Sequence, residues 1–302
     1  MKTLKLNPLA VALLSVVLIA SLQALAQDTA LPAKPEARNE ATESVQPQVD
    51  AEATDQAAER RKKVTADAVA AVNETKNALK LLDDKKTEEA LAALERATGK
   101  LELILAREPT LALAPVDVEV VTYDLLADLD TIKAVIKNAE DYLEDGEIQK
   151  ARPLVADLAS EIEFRTVSIP LATYPAAIKA VAPLIEEGKL DEAKVALQAV
   201  LNTLVVTTDV VPLPILRAEI LLRNAEALAE NKERTDKDNE TLASQLAEAR
   251  HQIKMAELLG YGDKKAFKPI YEQIDQIEEK ASNNGSGQGW FDKIKQQLSD
   301  LI

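Results

Sequence analysis

The apolar residues between positions 59 and 281 repeat with the period of an α-helix, and no other feature constrains the fold as strongly. Along two segments they alternate at spacings of four and three residues: Val64, Ala68, Ala71, Thr75, Ala78 and Leu82, then Leu125, Leu129, Ile132, Ile136, Ala139 and Leu143. Residues at this spacing lie on one face of a helix. We therefore predict an all-α fold for this part of the chain.

A ten-residue pattern occurs three times, at residues 81–90, 142–151 and 184–193. Each copy reads as a helix end, a polar turn and the start of a new helix. The tenth position is alanine in every copy, and its small side chain lets the second helix pack closely against the first. The three alanines are 61 and 42 residues apart, so there is no fixed period. The pattern predicts antiparallel helical hairpins, as degenerate tetratricopeptide-like units in one globular domain.

Short apolar segments rich in β-branched residues follow the second and third copies, at residues 163–175 and 204–214, and residues 110–116 are a looser example. β-Branched residues favour an extended backbone. The prolines in these segments, Pro170 and Pro212 among them, remove donors from a hydrogen-bond ladder. We expect short extended connectors buried between the helices, or a short strand pair.

The first 26 residues have the form of a secretory signal peptide. Lys2 and Lys5 precede an apolar stretch from Leu9 to Leu22, and residues 24–26 match the small-residue pattern of a cleavage site. We expect cleavage after Ala26, a periplasmic location if the source is Gram-negative, and no stable membrane anchor after cleavage. An uncleaved anchor is the alternative, because the uncharged run is long enough to cross a bilayer.

Two further segments differ in composition from the helical body at residues 59–281. Residues 27–58 combine prolines and acidic residues with few large apolar side chains, too few to offset the entropy lost on ordering. We predict a disordered acidic leader there. Residues 282–289 contain three of the eight glycines and are predicted to form a flexible Gly/Ser linker.

The residues after this linker, 290–302, predict a short amphipathic helix. Trp290, Phe291, Ile294 and Leu298 share its apolar side. Three destinations are open: a groove of its own domain, a groove of a partner protein, or a membrane surface. Lysines and aspartates balance on its polar face, which disfavours anionic lipid. The four residues are therefore candidate partner-binding residues, with docking on the same chain as the other strong alternative.

The composition removes several kinds of chemistry. The chain has 302 residues with 0 Cys and 1 His, so it can build neither a thiolate metal site nor a site with two histidines. Its net charge of -15 and pI of about 4.7 disfavour nucleic-acid binding, which needs a positive surface. His251 lies off the neighbouring apolar stripe and is expected on a solvated face. We expect no catalytic residues, no cofactor and no metal site.

Carboxylates are the remaining source of chemistry. Acidic pairs occur at the turns of the three repeats, and Asp124, Asp128 and Asp130 lie close together in the sequence. Such groups could bind a divalent cation or act as an acid and a base. Acidic residues also cover the turns and solvated faces of any acidic helical protein, and no calcium-loop spacing occurs here. The second interpretation is favoured.

An aromatic group stands out in a chain with 3% aromatic residues. Tyr261, Phe267 and Tyr271 lie close to two glycines near the end of the helical body. They are candidate pocket residues. The alternative is that they anchor the packing at the end of a domain.

Several short blocks, taken in order, resemble the YfdX family of bacterial proteins. These blocks are residues 97–103 (ATGKLEL), 157–162 (DLASEI), 169–175 (IPLATYP), 201–206 (LNTLVV), 211–214 (VPLP) and 259–265 (LGYGDKK). The resemblance covers about residues 60–280. It implies a mostly helical, exported or periplasmic protein, linked in enteric bacteria to stress and acid-tolerance regulation. The family supplies no catalytic residues and no established molecular activity.

Together these observations predict a non-enzymatic periplasmic binding protein associated with envelope or acid stress. Its partner would be a protein or a small-molecule ligand, and not a nucleic acid. The alternative is a self-associating scaffold, a homo-oligomer whose C-terminal helix docks on a neighbouring subunit. A hydrolase or lyase that uses carboxylates alone is less favoured. Protonation of many carboxylates would relieve self-repulsion, so acid is expected to favour association.

Overall fold

The computed structural model describes residues 39–282 and 286–301. The predicted signal peptide and residues 27–38 of the predicted leader lie outside the described residues, as do residues 283–285 and 302. The elements in chain order are α1 (Glu40–Arg61), α2 (Ala66–Asp83), α3 (Thr87–Arg107), β1 (Leu113–Tyr123), α4 (Leu129–Glu144), α5 (Ile148–Ala156), β2 (Glu161–Pro170), α6 (Tyr174–Lys179), α7 (Ala182–Glu186), α8 (Leu190–Leu201), β3 (Val205–Pro212), α9 (Leu213–Glu230), α10 (Asp236–Leu259), α11 (Lys264–Ser282) and α12 (Asp292–Ser299). None of the helices described is both long and apolar enough to cross a membrane.

The fold is mostly helical, as predicted, and it also contains a small sheet that an all-α fold does not include. The three apolar segments expected as connectors or as a short strand pair form an antiparallel sheet with the strand order β1–β2–β3. Leu113 pairs with Pro170 at one end of the first ladder, and Ser168 pairs with Val205 at the matching end of the second. The extended backbone that β-branched residues favour is therefore used for strand pairing.

The prolines do not interrupt this sheet, because each stands where no ladder hydrogen bond is required. The Leu213 N–H donates to the Ser160 carbonyl at 3.0 Å. Backbone groups alternate in direction along a strand, so the N–H and C=O groups of the odd-numbered residues of β3 form the hydrogen bonds to β2. Pro212 therefore faces away from β2, and Pro170 lies beyond the start of β3. Pro115 lies at the bulge of β1. Strands tolerate proline at such positions.

Each repeated hairpin is followed by one strand of the sheet: α2 and α3 by β1, α4 and α5 by β2, α7 and α8 by β3. The repeats are helix–helix–strand units, and tetratricopeptide-like packing is not shown. The fifth residue of each repeat has a positive φ, 58° at Lys85 and 75° at both Gly146 and Gly188. This left-handed position ends the first helix of each unit and starts the turn to the second.

The prediction of a disordered leader is wrong for residues 40–58, which form most of α1. Val45, Val49 and Ala57 are buried in one core with side chains of α9 and α10. Val45 and Val49 are four residues apart, so they share one helix face despite the low apolar content of the segment. The Asn39 side chain accepts a hydrogen bond from the Thr42 N–H at 2.9 Å and caps the helix.

The sheet contributes to two hydrophobic cores. Ile162 and Phe164 pack with α1 and with α9 to α12, whereas Ala114 and Ile169 pack with α2, α3 and α6 to α8. Helices at both ends of the described chain therefore belong to the first core. The predicted domain boundaries at residues 59 and 281 do not correspond to boundaries in the structure.

A buried ion pair joins three parts of the first core. Arg217 of α9 is 2% exposed and donates from both terminal nitrogens to the carboxylate of Asp124, at 2.9 and 2.8 Å. One of these nitrogens also donates to the Gln46 side-chain oxygen of α1 at 3.1 Å. The pair fixes α1 and the segment after β1 against α9.

Candidate functional site

β3 forms one edge of the sheet, and no described strand pairs with its outer side. Because the odd-numbered residues bond to β2, the backbone N–H and C=O groups of Val206, Thr208 and Val210 point outward. All five residues from 206 to 210 are exposed, with Val206 at 57% and Val210 at 41%. An edge with free donors and acceptors can accept another strand.

The opposite edge of the sheet is protected. β1 has a bulge between Pro115 and Asp117 and also carries Glu119. Bulges, prolines and charges are the usual devices that prevent an edge from pairing with another chain. β3 has no bulge and carries a single charged residue, Asp209. β3 is therefore the open edge of this sheet.

A cleft of about 660 Å³ lies beside β3, with α1 and α9 as its other walls. Five charged side chains of both signs line it: Glu52, Arg60, Asp209, Glu219 and Arg223. The cleft and the open edge share residues 208–211, so a strand added to the edge would meet these charged side chains. We call the edge and the cleft together the β3 site.

Arg60, in the last turn of α1, holds that helix against the sheet. Its guanidinium lies 4.1 Å from the centroid of the Phe164 ring, a cation–π contact. Its Nε donates to an Asp209 carboxylate oxygen at 3.3 Å, and a terminal nitrogen donates to the Gln56 carbonyl at 3.2 Å. Glu52 and Gln56, which belong to the predicted leader, line the same wall of the β3 site.

Glu219 of α9 is the titratable group that the cleft perturbs. Burial raises the pKa of its carboxyl; the nearby Arg223 opposes this shift, and the nearby Glu52 adds to it. Glu219 therefore takes up a proton at a higher pH than an ordinary glutamate. Acidification removes negative charge from the cleft before most exposed carboxylates respond.

We expect Glu219→Gln to stabilise the fold at neutral pH, by less than about 1 kcal/mol. The pKa is raised in the folded state, so the favourable contribution of the protonated group is complete below its ordinary value of 4.5 and is lost as pH rises through the folded pKa. The gain should therefore vanish near pH 3. Urea unfolding at both pH values measures it. Glu230→Gln, at an exposed position of the same helix, is the control, and an equal gain there would contradict the assignment.

The three aromatic candidates for a pocket have different partners in the structure. Phe267 is fully buried in the first core. The Tyr261 hydroxyl donates to Glu161 at 2.7 Å and accepts from the Ser160 N–H at 2.8 Å, which ties the turn after α10 to the start of β2. The Tyr271 hydroxyl donates to Glu257 at 2.8 Å. Burial together with these carboxylates raises the pKa of both tyrosines, so both keep their protons and act as structural donors.

The candidate partner-binding residues of the tail lie mostly inside the chain's own core. Phe291, Ile294 and Leu298 are 1%, 0% and 0% exposed, and Trp290 packs at the border of the same core. The Lys295 ammonium pairs with Glu226 of α9 at 2.8 Å. The structure has the tail docked on its own domain. In the described part of the predicted linker, the Gly287 N–H donates to the Ala229 carbonyl at 3.4 Å.

Several of the carboxylates considered for chemistry have structural partners. Asp128 caps α4 by accepting from the Thr131 N–H at 2.6 Å, and Asp83 lies 3.5 Å from the Lys194 ammonium. Within residues 39–282 and 286–301, no three His, Asp or Glu side chains are grouped so that they could hold a metal ion. His251 is half-buried and lines a cavity of about 500 Å³ with Tyr271.

The YfdX protein family model matches residues 71–210. Over these residues the match confirms the predicted resemblance to the YfdX family. A solved structure of YfdX from Salmonella Typhi is similar at 15% sequence identity, with 50% of this chain and 93% of that chain covered and a TM-score of 0.34. No curated protein matches the chain.

The β3 site is only partly within the YfdX segment. The segment runs from α2 into β3 and includes most of that strand, whereas α1 and α9 lie outside it. The sequence pattern predicted an extended connector or a short strand pair in the β3 region and did not predict the α1 wall. The signal for the strand was the run of β-branched residues from Val205 to Val211, and the signal for the wall was the four-residue spacing in α1.

Proposed function

We propose that this YfdX-family chain is a non-enzymatic binding protein of the periplasm that takes up an extended polypeptide segment by strand addition at the β3 site. The observation that carries the proposal is the row of outward backbone groups on Val206, Thr208 and Val210, which no described strand uses. In strand addition the main-chain hydrogen bonds give affinity, and neighbouring side-chain pockets give specificity.

The cleft beside the edge supplies the specificity. Side chains of the added strand that point towards α1 and α9 would meet Arg60, Arg223, Glu52 and Glu219. A polypeptide carries charges of both signs along with backbone donors and acceptors, and so it matches this lining. The negative net charge of -15 argues against a nucleic-acid partner.

The proposed location and stress role rest on other observations. The signal-like segment at residues 1–26 supports export to the periplasm. The raised pKa of Glu219 supports a response of the cleft to acid, because this carboxyl takes up a proton at a higher pH than an ordinary glutamate. The structural engagement of Asp124, Asp128 and Asp83 supports binding over a carboxylate-dependent hydrolase or lyase.

The test measures binding of an unfolded client, fluorescently labelled α-lactalbumin that is reduced and carboxymethylated, by anisotropy at neutral and mildly acidic pH. Thr208→Pro removes an outward N–H that β2 does not use, so the sheet should remain intact. We expect this variant to bind at least several-fold more weakly than the wild type. Leu103→Ala, at an exposed apolar residue of α3, is the control and should bind normally. Equal binding by a folded Thr208→Pro variant would overturn the proposal.

A further inference from the structure

We propose that the outer edge of β3 pairs with β3 of a second copy of this chain, which gives a six-stranded antiparallel sheet across a two-fold axis. The inference rests on the proposed function, because it names the strand that fills the same edge when no other polypeptide is bound. Two properties of β3 favour this pairing: the order of its residues, and the directions of its backbone N–H and C=O groups.

The sequence of β3 is self-complementary when two copies run antiparallel. Placing Thr208 opposite the second copy's Thr208 gives these cross-strand pairs: Thr208 with Thr208, Val206 with Val210, Thr207 with Asp209, and Val205 with Val211. Like residues or compatible residues meet at every position, and no two like charges are opposed. The two exposed valines, Val206 and Val210, cover each other in this arrangement.

The backbone selects the same register. The outward groups belong to Val206, Thr208 and Val210, and in this register each of them stands opposite another outward residue. Three hydrogen-bonded pairs form, each with two N–H···O=C bonds. A shift that puts Asp209 opposite Asp209 places Val206 of each strand opposite Pro212, which has no N–H to donate, and also opposes two carboxylates. The Thr208-centred register is therefore the best one that β3 offers.

The cleft is compatible with this partner. In the Thr208-centred register, the second copy's Asp209 stands opposite Thr207, on the face of the sheet where Arg60 and Asp209 already meet. Arg60 lies on that face, with its guanidinium over the Phe164 ring. A guanidinium on the face that receives an incoming carboxylate favours the pairing. By symmetry the same contact forms twice.

The segment before α1 is a poorer occupant of the edge. Residues 27–38 separate the expected cleavage site from Asn39, and they include Pro32 and Pro35, which cannot donate to a ladder. α1 has 22 residues and spans about 33 Å, and its far end, at Arg60, is the end that touches β3. Twelve extended residues reach about 40 Å, so only a few would remain to pair with the edge.

The absence of cysteine from the chain makes a cross-linking test direct. In the proposed register the two Thr208 Cα atoms are about 5.5 Å apart, within the range that a disulfide accepts. Thr208→Cys should form a covalent dimer under mild oxidation at least about tenfold faster than Val206→Cys. Val206 is the matched control, since it is on the same face and exposed, but its two copies would be about 14 Å apart.

Charge substitution tests the same axis without a covalent bond. Thr208→Lys and Thr208→Glu each put like charges directly opposite each other, so each variant alone should be monomeric by light scattering. A mixture of the two should restore dimers, because opposite charges then meet at the axis. Circular dichroism and melting curves of each variant verify that the fold is intact, as expected for an exposed edge position.

The outcomes separate this inference from the proposed function. Preferential cross-linking at Thr208 and dimers restored by mixing support the second copy as the partner. A chain that stays monomeric, or dimers that cross-link equally at both positions, would overturn the inference, including the case in which residues 1–38 cover the edge. If such a monomer still binds the unfolded client and loses it in Thr208→Pro, the proposed function stands without self-pairing. If Thr208→Pro binds the client normally, the proposed function fails.

Discussion

Replacing Asp124 with alanine is expected to lower the free energy of unfolding by about 3–5 kcal/mol. The substitution leaves the guanidinium of Arg217, which is 2% exposed, without the carboxylate that accepts its two hydrogen bonds. A buried charge without a partner keeps its full desolvation cost, so the loss exceeds the net contribution of the pair. Urea denaturation monitored by circular dichroism measures the change as a lower midpoint with an unchanged slope.

Two comparisons define this prediction. Glu102→Ala breaks an exposed pair with Lys179 at 2.6 Å and should cost less than about 1 kcal/mol. Combining Asp124→Leu with Arg217→Met removes both charges and should recover much of the lost stability. If Asp124→Ala is no worse than Glu102→Ala, the ion pair does not hold α1 and α9 together.

Phe291→Ala is expected to cost about 3–4 kcal/mol. The Phe291 side chain is 1% exposed and packs in the first core at the start of α12, so truncation leaves a cavity next to Ile294 and Leu298. Thermal and urea unfolding of the isolated protein measure the effect. A tail that waited for a partner would contribute nothing to the stability of the isolated chain.

Lys293→Ala is the matched control for this prediction. Lys293 is exposed on the same short helix, and its truncation should change stability by no more than about 0.5 kcal/mol. Equal and small effects of both substitutions would show that α12 leaves its groove in solution. That result would revive the interpretation of Trp290, Phe291, Ile294 and Leu298 as partner-binding residues.

The helices and their turns were largely predictable because their signals are local. The apolar stripe from Val64 to Leu82 begins two residues before α2 and ends within that helix. The three repeated turns occur where expected, and their left-handed residue is glycine in two copies, Gly146 and Gly188. Helical hydrogen bonds join residues four apart, so a short window of sequence contains most of the information.

The error at α1 has a physical cause. The segment buries only small and medium side chains, such as Val45, Val49 and Ala57, and its mean composition is typical of disordered chains. The stabilisation comes from α9 and α10, which are more than 150 residues away in the sequence. The composition of a segment indicates how much apolar surface it can bury. It contains no information about the groove in which the segment packs, which here is formed by α9 and α10.

The sheet and its open edge required the tertiary structure for a related reason. The β-branched runs indicated extended backbone, but the choice between a connector and a strand depends on partners about 50 residues away in the sequence. The direction of each N–H group, inward to β2 or outward to solvent, follows from the register alone. The β3 site could not be assigned before that register was known.

The sequence by itself determined the helical repeats, the exclusion of thiolate and two-histidine sites, the acidic charge and the resemblance to the YfdX family. These properties depend on residue counts or on neighbours within one or two helical turns. Only the tertiary structure decided that the repeats end in strands, that α1 and α12 complete one core, and that β3 keeps a free edge beside a charged cleft. Those features depend on contacts between segments that are distant in the sequence. Such contacts stabilise the fold only after the intervening chain has been closed into a loop, and no short window of sequence contains both partners.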